Sequence, residues 1–169
     1  MPEISSLPVP QLVAPREELN FYHVNSLKIN AQPTAFEVYR ALFSKRSAWL
    51  SAAFWVRDQI SALAGVTKIK GFGDERAATP PDVGDHLDFF LVEQIEDREL
   101  VLTSRDKHLS VMTTLSVDAA NEGALVRITS SVITHNWFGN LYMLPVGPAH
   151  KFISWRMLRN VSRAFFSAK

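Results

Sequence analysis

The stretch Leu109-Ser110-Val111-Met112-Thr113-Thr114-Leu115-Ser116-Val117-Asp118-Ala119, the turn Ala120-Asn121-Glu122-Gly123, and the run Ala124-Leu125-Val126-Arg127-Ile128-Thr129-Ser130-Ser131-Val132-Ile133-Thr134-His135-Asn136 decide how this chain folds. Leu109, Val111, Thr113, Leu115 and Val117 share one parity. In the second run Val126, Ile128, Ser130, Val132 and Thr134 share one parity, against Arg127, Thr129 and Ser131. A period of two marks a strand with one face on a core and the other on water. The four-residue turn between the runs forces an antiparallel hairpin.

Working upstream, residues 86–95 and 100–105 read as two more strands, joined through Glu96-Asp97-Arg98 and Asp106-Lys107. Such connections are too short for a crossover, so these strands are also antiparallel neighbours. The turn-rich segments Gly71-Phe72-Gly73-Asp74 and Thr79-Pro80-Pro81-Asp82 precede them. A helix is expected over 47–65, opened by Ser47 and stopped by Gly65, with Trp49, Ala53, Val56, Ile60 and Leu63 on one face. Before it, Thr34 with Glu37 three residues on forms a capping box and opens a first helix, which buries Val38, Tyr39 and Leu42 with Phe36 and Phe43 beside them. Residues 21–29 have strand composition, with Phe21, Leu27 and Ile29 on one parity. Residues 1–19 carry Pro2, Pro8, Pro10 and Pro15 and read as an extended arm, lying on the domain, free, or packed on a partner subunit. Residues 20–169 then form one domain.

Downstream, residues 137–169 are helical in pattern. Pro145 and Pro148 predict a short first piece, a kink, and a long helix from about His150. In it Phe152, Trp155, Leu158 and Phe165 form a stripe, widened by Ile153, Met157 and Val161, with Arg156, Arg159 and Arg163 on the other side. Basic residues beside an apolar stripe also suit a helix lying on an anionic membrane. One stripe cannot serve both core and membrane, and it is assigned to the core. The expected fold class is α+β: a curved antiparallel sheet wrapped around a long C-terminal helix, with two short helices after the first strand.

The bulk numbers bound the function classes. The chain has 169 residues, 47% hydrophobic and 21% charged, which fits one soluble globular domain. A net charge of +1 argues against nucleic acid as a partner. Cysteine is absent, which removes disulfides, thiolate metal sites and cysteine nucleophiles. No secretory signal opens the sequence, and no apolar run reaches the roughly 20 residues of a spanning helix, so a cytoplasmic protein without membrane insertion is expected.

Chemistry-bearing motifs are few. Gly71-Phe72-Gly73 lacks a third glycine and a following Gly-Lys-Ser/Thr, so it reads as a turn. No Gly-x-Ser-x-Gly elbow is present. His86 and Asp88 share a side of one strand near Asp82 and Asp85, but a zinc site would need further ligands such as His108 or His135. A solvated acidic loop is the simpler reading, and no metal and no cofactor are expected. His135 and His150 flank the prolines and can act as general base or as hydrogen-bond partner, with Tyr142 nearby. Arg105 and Arg127 can hold a carboxylate if aimed inward; the parity of Arg127 turns it to water, and that of Arg105 is undecided. Thr113, Ser130 and Thr134 punctuate otherwise apolar strand faces, the usual make-up of a small-molecule site.

The order strand, two helices, antiparallel strands, terminal helix resembles the helix-grip fold of the START-domain and birch-pollen-allergen superfamily. Within it the chain is similar to a bacterial family of unknown function, through Arg105-Asp106-Lys107-His108-Leu109, His135-Asn136, Gly139, Tyr142, Pro148 and His150. It departs from that pattern at Asn140, where a basic residue is expected. The resemblance implies a cavity between sheet and terminal helix that binds a small apolar molecule. Thr113, Ser130, Thr134, Tyr142, Phe152, Trp155 and Arg105 are the implied ligand-binding residues. The alternative it implies is a cyclase- or dehydratase-like enzyme with His150 or His135 as general base. A homodimer is left open.

Overall fold

The computed structural model describes residues 9–43 and 79–166. The expected helix over 47–65, with Trp49 and Trp55, and the Gly71-Phe72-Gly73 turn lie outside the described residues.

Strand β1 (Phe21–Ile29) is followed by helix α1 (Ala35–Leu42), then by β2 (His86–Leu87), β3 (Phe90–Ile95), β4 (Glu99–Arg105), β5 (Leu109–Ala119), β6 (Ala124–Thr134) and helix α2 (Trp137–Phe166). The six strands make one antiparallel sheet in the order β1-β6-β5-β4-β3-β2. The chain therefore leaves β1 at one edge, re-enters as β2 at the opposite edge, and winds back by hairpins until β6 pairs with β1. This is a helix-grip-like α+β fold: the antiparallel sheet is what the strand alternation predicts, and the long terminal helix is what the resemblance implies.

The sequence expectation of one strand over 86–95 is corrected to two. Asp88 adopts φ 57°, a left-handed turn conformation, and folds β2 back on β3 so that His86 pairs with Leu91 and Leu87 with Phe90. Composition alone hides this turn, because Asp88 is flanked by Leu87, Phe89 and Phe90.

The capping box is formed: Thr34 Oγ1 accepts from the Glu37 N–H at 3.2 Å and Glu37 Oε2 accepts from the Thr34 N–H at 2.8 Å. Helix α1 then buries Ala35, Phe36, Val38, Tyr39, Ala41 and Leu42. These meet Ile29, Leu100, Leu115, Val117 and Val126 from the sheet and Met157, Leu158 and Val161 from α2 in one core. Burying each large aliphatic side chain there contributes roughly 1.5–3 kcal/mol.

Helix α2 runs unbroken for 30 residues, about 45 Å, with Pro145 and Pro148 inside it. The expected break does not occur. Each proline removes the N–H that would have bonded the carbonyl four residues back, on Leu141 and Leu144. Both prolines and both leucines are exposed, so the freed carbonyls lie on the solvent side of the helix, where water can take the lost bonds.

The parity read for β6 is present, but Thr129 and Ser131 do not face water. Both are buried, as are Thr103 and Thr114 on the same outer face. The proline-rich arm covers two of them: Val13 N–H donates to Ser131 Oγ at 3.0 Å, and Thr114 Oγ1 donates to the Gln11 carbonyl at 2.8 Å. Arg16 lies 3.4 Å over the Tyr22 ring, and Asn20 Oδ1 accepts from the Thr134 N–H. Arg127 has the outer parity but is shielded as well, paired with Asp118 at 2.8 Å.

The motif residues around 105–109 and 135–139 form a clasp between the β4–β5 turn and the start of α2. Asp106 Oδ1 accepts from the N–H groups of His108 and Leu109. Asn136 caps α2 by accepting from the Gly139 N–H at 3.1 Å, while its Nδ2 donates to the Lys107 carbonyl at 3.0 Å. His108 Nδ1 lies 3.0 Å from Asn136 Nδ2, and the His108 ring packs on Phe138. A Cβ on Gly139 would stand 2.3 Å from the His108 carbonyl oxygen, whereas one on Gly147 would meet only the Phe21 ring at 3.3 Å. Gly139→Ala is therefore expected to destabilise the protein by about 1–3 kcal/mol, because backbone must move. Gly147→Ala is expected to cost less, since a ring can shift and alanine favours helix. Urea unfolding of the two variants checks the order; equal midpoints would show that the clasp tolerates displacement.

Candidate functional site

The antiparallel register carries side chains across the sheet in rows, and the row beneath the middle of α2 is polar. His23 pairs with Ser130, Ser130 with Thr113, and Thr113 with Leu102. The flanking rows are largely apolar: Phe21, Val132 and Val111 on one side, and Ile128, Leu115 and Leu100 beside Asn25 on the other. Because side chains alternate, all of these share the face that packs on the helices.

From above, α2 contributes Ser154 and His150. Asn25 Nδ2 donates to Ser154 Oγ at 2.7 Å, which fixes β1 to the helix. His150 meets the Phe21 ring edge-on at 5.7 Å, and Phe21 lies 6.3 Å from the His23 ring. His23 Nε2 and His150 Nδ1 are both buried without a hydrogen-bond partner among the described residues. Such an atom costs roughly 1–3 kcal/mol relative to a paired one.

Burial sets the charge state of both imidazoles. It pushes His150 down to about 4, with the neighbouring His23 adding to the effect. His23 is also held below its ordinary value, first by burial and then by the charge of Lys151, with the hydrogen bond to Asn25 working the other way. At neutral pH His150 is neutral, presenting one N–H and one lone pair.

The residues expected from sequence separate into groups. Thr113 and Ser130 lie in the polar row, and His150 stands over it on α2. Thr134 is at the far end of β6, where its hydroxyl donates to Asn140 Oδ1 at 2.6 Å. Tyr142 is half-buried two turns before His150 on the same helix. Phe152 and Trp155 do not turn to the sheet: both are exposed, and the buried stripe of α2 runs through Ser154, Met157, Leu158 and Val161 instead. A wide apolar surface on the helix hid which half faces inward. Arg105 is exposed at the end of β4 on the outer face and pairs with Glu93 at 3.4 Å, away from the polar row. His135 is exposed, and its Nε2 lies 2.9 Å from Ser110 Oγ on the outer face, so it does not meet His150.

His23, Asn25 and Ser154 carry no motif in the sequence. The signal existed for two of them: positions 23 and 25 have the parity of Phe21, Leu27 and Ile29, so polar side chains interrupt an apolar face there. Among the described residues no three His, Asp or Glu side chains gather as metal ligands. His86 is exposed, Asp85 accepts from the Asp82 N–H, and Asp88 accepts the Tyr39 hydroxyl proton at 2.5 Å.

Two solved structures resemble the chain in shape. An uncharacterized protein from Rhizobium leguminosarum covers 84% of this chain and 93% of its own, at 13% identity and a TM-score of 0.39. A Polyketide_cyc-like protein from Corynebacterium glutamicum covers 85% of this chain and 83% of its own, at 13% identity and a TM-score of 0.40. No curated protein matches the sequence. Residues 16–157 match the model of a protein family of unknown function, DUF2867. That match covers most of the described residues, through the polar row to Met157, and the chain belongs to this family.

Proposed function

We propose that this protein is a non-catalytic member of the START-domain and birch-pollen-allergen superfamily that binds a small, largely apolar molecule between the sheet and α2. The observation that carries this reading is the pair of buried imidazole nitrogens without a partner among the described residues, His23 Nε2 in the row with Ser130 and Thr113, and His150 Nδ1 on α2 across the Phe21 ring, on a largely apolar face. A core packed for stability alone would place aliphatic side chains there. A ligand hydroxyl or carbonyl reaching those nitrogens would satisfy them, while its apolar body lies against Val111, Val132 and Leu115.

The enzyme reading draws less support. A general base works best with a pKa near the operating pH, and His150, held at about 4, is a weak proton acceptor at neutrality. His135 faces the other side of the sheet and is engaged by Ser110.

Native mass spectrometry of freshly purified protein, against the same sample after denaturing extraction, tests the binding reading. A co-purifying compound of a few hundred daltons is expected, and Thr113→Phe, which puts a bulky ring where the ligand is proposed to lie, is expected to remove it. An empty spectrum, with no enhancement of a neutral naphthylamine fluorophore by the protein, would show a packed core and sink the proposal.

The burial of His150 also predicts a pH dependence. Its folded value of about 4 lies below the ordinary 6.5, so between these the unfolded chain binds the extra proton. The stabilisation is complete above pH 6.5 and is lost as pH falls through 4. Its size is on the order of 3 kcal/mol. Urea midpoints between pH 7 and 4 are expected to fall more steeply for the native chain than for His150→Gln; parallel curves would show that His150 titrates normally.

A further inference from the structure

Helix α2 carries a second apolar stripe that the core does not use. Trp137, Leu141, Leu144, Phe152 and Trp155 are 75, 54, 70, 56 and 49% exposed, and the exposed Pro148 continues the line. The steps of four, three, four, four and three residues keep all six within a narrow arc of the helix. That arc is opposite the one holding His150, Met157 and Val161. From Trp137 to Trp155 the stripe is about 27 Å long.

The charged residues along its flanks are all basic. Lys151 borders the stripe on one side, and Arg156, Arg159 and Arg163 border and extend it on the other, all exposed. The Arg159 guanidinium sits 5.2 Å from the Trp155 ring. Residues 137–169 contain five of the eighteen Lys and Arg residues and none of the seventeen Asp and Glu residues. The net charge of +1 thus conceals a segregated molecule: a basic terminal helix, and a remainder with four more acids than cations.

We propose that the exposed face of α2 is a docking surface for a membrane carrying anionic lipid headgroups, with Trp137, Leu141, Leu144, Phe152 and Trp155 entering the interface and Lys151, Arg156, Arg159 and Arg163 meeting the headgroups. Aliphatic and aromatic residues between cations suit the boundary of headgroups and acyl chains, where rings and methyls leave water while ammonium and guanidinium groups stay at the phosphates. A nucleic acid would leave Leu141 and Leu144 in water. A second copy of this helix would bring like charges together. No helix among the described residues is long and apolar enough to cross a membrane, so the proposal is a helix lying on the surface. It is independent of the ligand proposed above, since the two use opposite faces of α2.

Flotation of the full chain with phosphatidylcholine vesicles, and with vesicles holding about one third phosphatidylserine, tests it. Binding to the anionic vesicles is expected to exceed binding to the neutral ones at least tenfold and to weaken as salt rises. Leu144→Glu, at an exposed position, and the pair Arg159→Glu with Arg163→Glu are each expected to cut it at least tenfold with unchanged urea midpoints. Brominated lipid is expected to quench the native chain's tryptophan fluorescence, and to lose that effect when Trp137 and Trp155 are both replaced by Phe, which leaves Trp49 and Trp55. Absence of binding to anionic vesicles, or equal binding to both kinds with no response to charge reversal, would overturn the proposal. So would a dimer at micromolar concentration that Leu144→Glu dissociates, because the stripe would then be an interface between copies.

Discussion

The approach of Gly139 to the His108 carbonyl fixes where the terminal helix begins, and much of the molecule follows from that point. With Asn136 capping the helix and reaching to Lys107, the first turn of α2 is pinned to the β4–β5 turn. The C-terminal half is held elsewhere, by Met157, Leu158 and Val161 against α1 and the sheet. A helix fixed at both ends spans the sheet face between them, and its middle, from Gly147 to Ser154, rests over β1 and the polar row. A tighter start for α2 would demand a residue smaller than glycine. A looser one would leave the His23–Ser130–Thr113 row without a roof. The sequence motif at 105–109 and 135–139 is thus a geometric device, and its His135 and His108 serve the clasp and its surroundings.

The alternation in residues 109–134 made the sheet legible, because a strand with one buried face has no other way to place its apolar residues. Parity also located Thr113 and Ser130 on the inner face. It could not say what covers the outer one, because Thr114, Thr129 and Ser131 look the same whether they meet water or a strand-like arm. Prolines in the arm leave fewer N–H groups, so hydroxyls on the sheet serve as both acceptors and donors to it, as Ser131 and Thr114 do. The same ambiguity misplaced Phe152 and Trp155. On a helix apolar around most of its circumference, the inward face is set by the end contacts, and those join residues far apart in sequence. Pro145 and Pro148 read as breakers in sequence because the cost of a proline inside a helix is usually decisive; here each lost bond falls on the water side, where it is replaceable.

His23 and His150 show how the inner face departs from a stability-optimised core. Two imidazoles, each with one buried nitrogen lacking a partner, lie within reach of the same Phe21 ring. Neutrality keeps them from repelling one another, and burial enforces neutrality. Such a pair is costly in a closed protein and useful in one that receives a polar group from outside, more so than the hydroxyls around it, which can satisfy themselves on neighbouring backbone.

The two faces of α2 then have a common logic. The face toward the sheet is apolar with neutral polar atoms, while the face toward solvent is apolar with cations. An apolar molecule in water has little free concentration, and a membrane is where it accumulates. A binding module whose roof helix also rests on an anionic membrane would meet its cargo where that cargo is abundant, and the exposed prolines of α2 lie on the face that would touch the lipid. Their freed carbonyls on Leu141 and Leu144 need water or headgroup donors, so they limit how deep the helix can sink and favour a shallow, reversible contact over burial in the hydrocarbon.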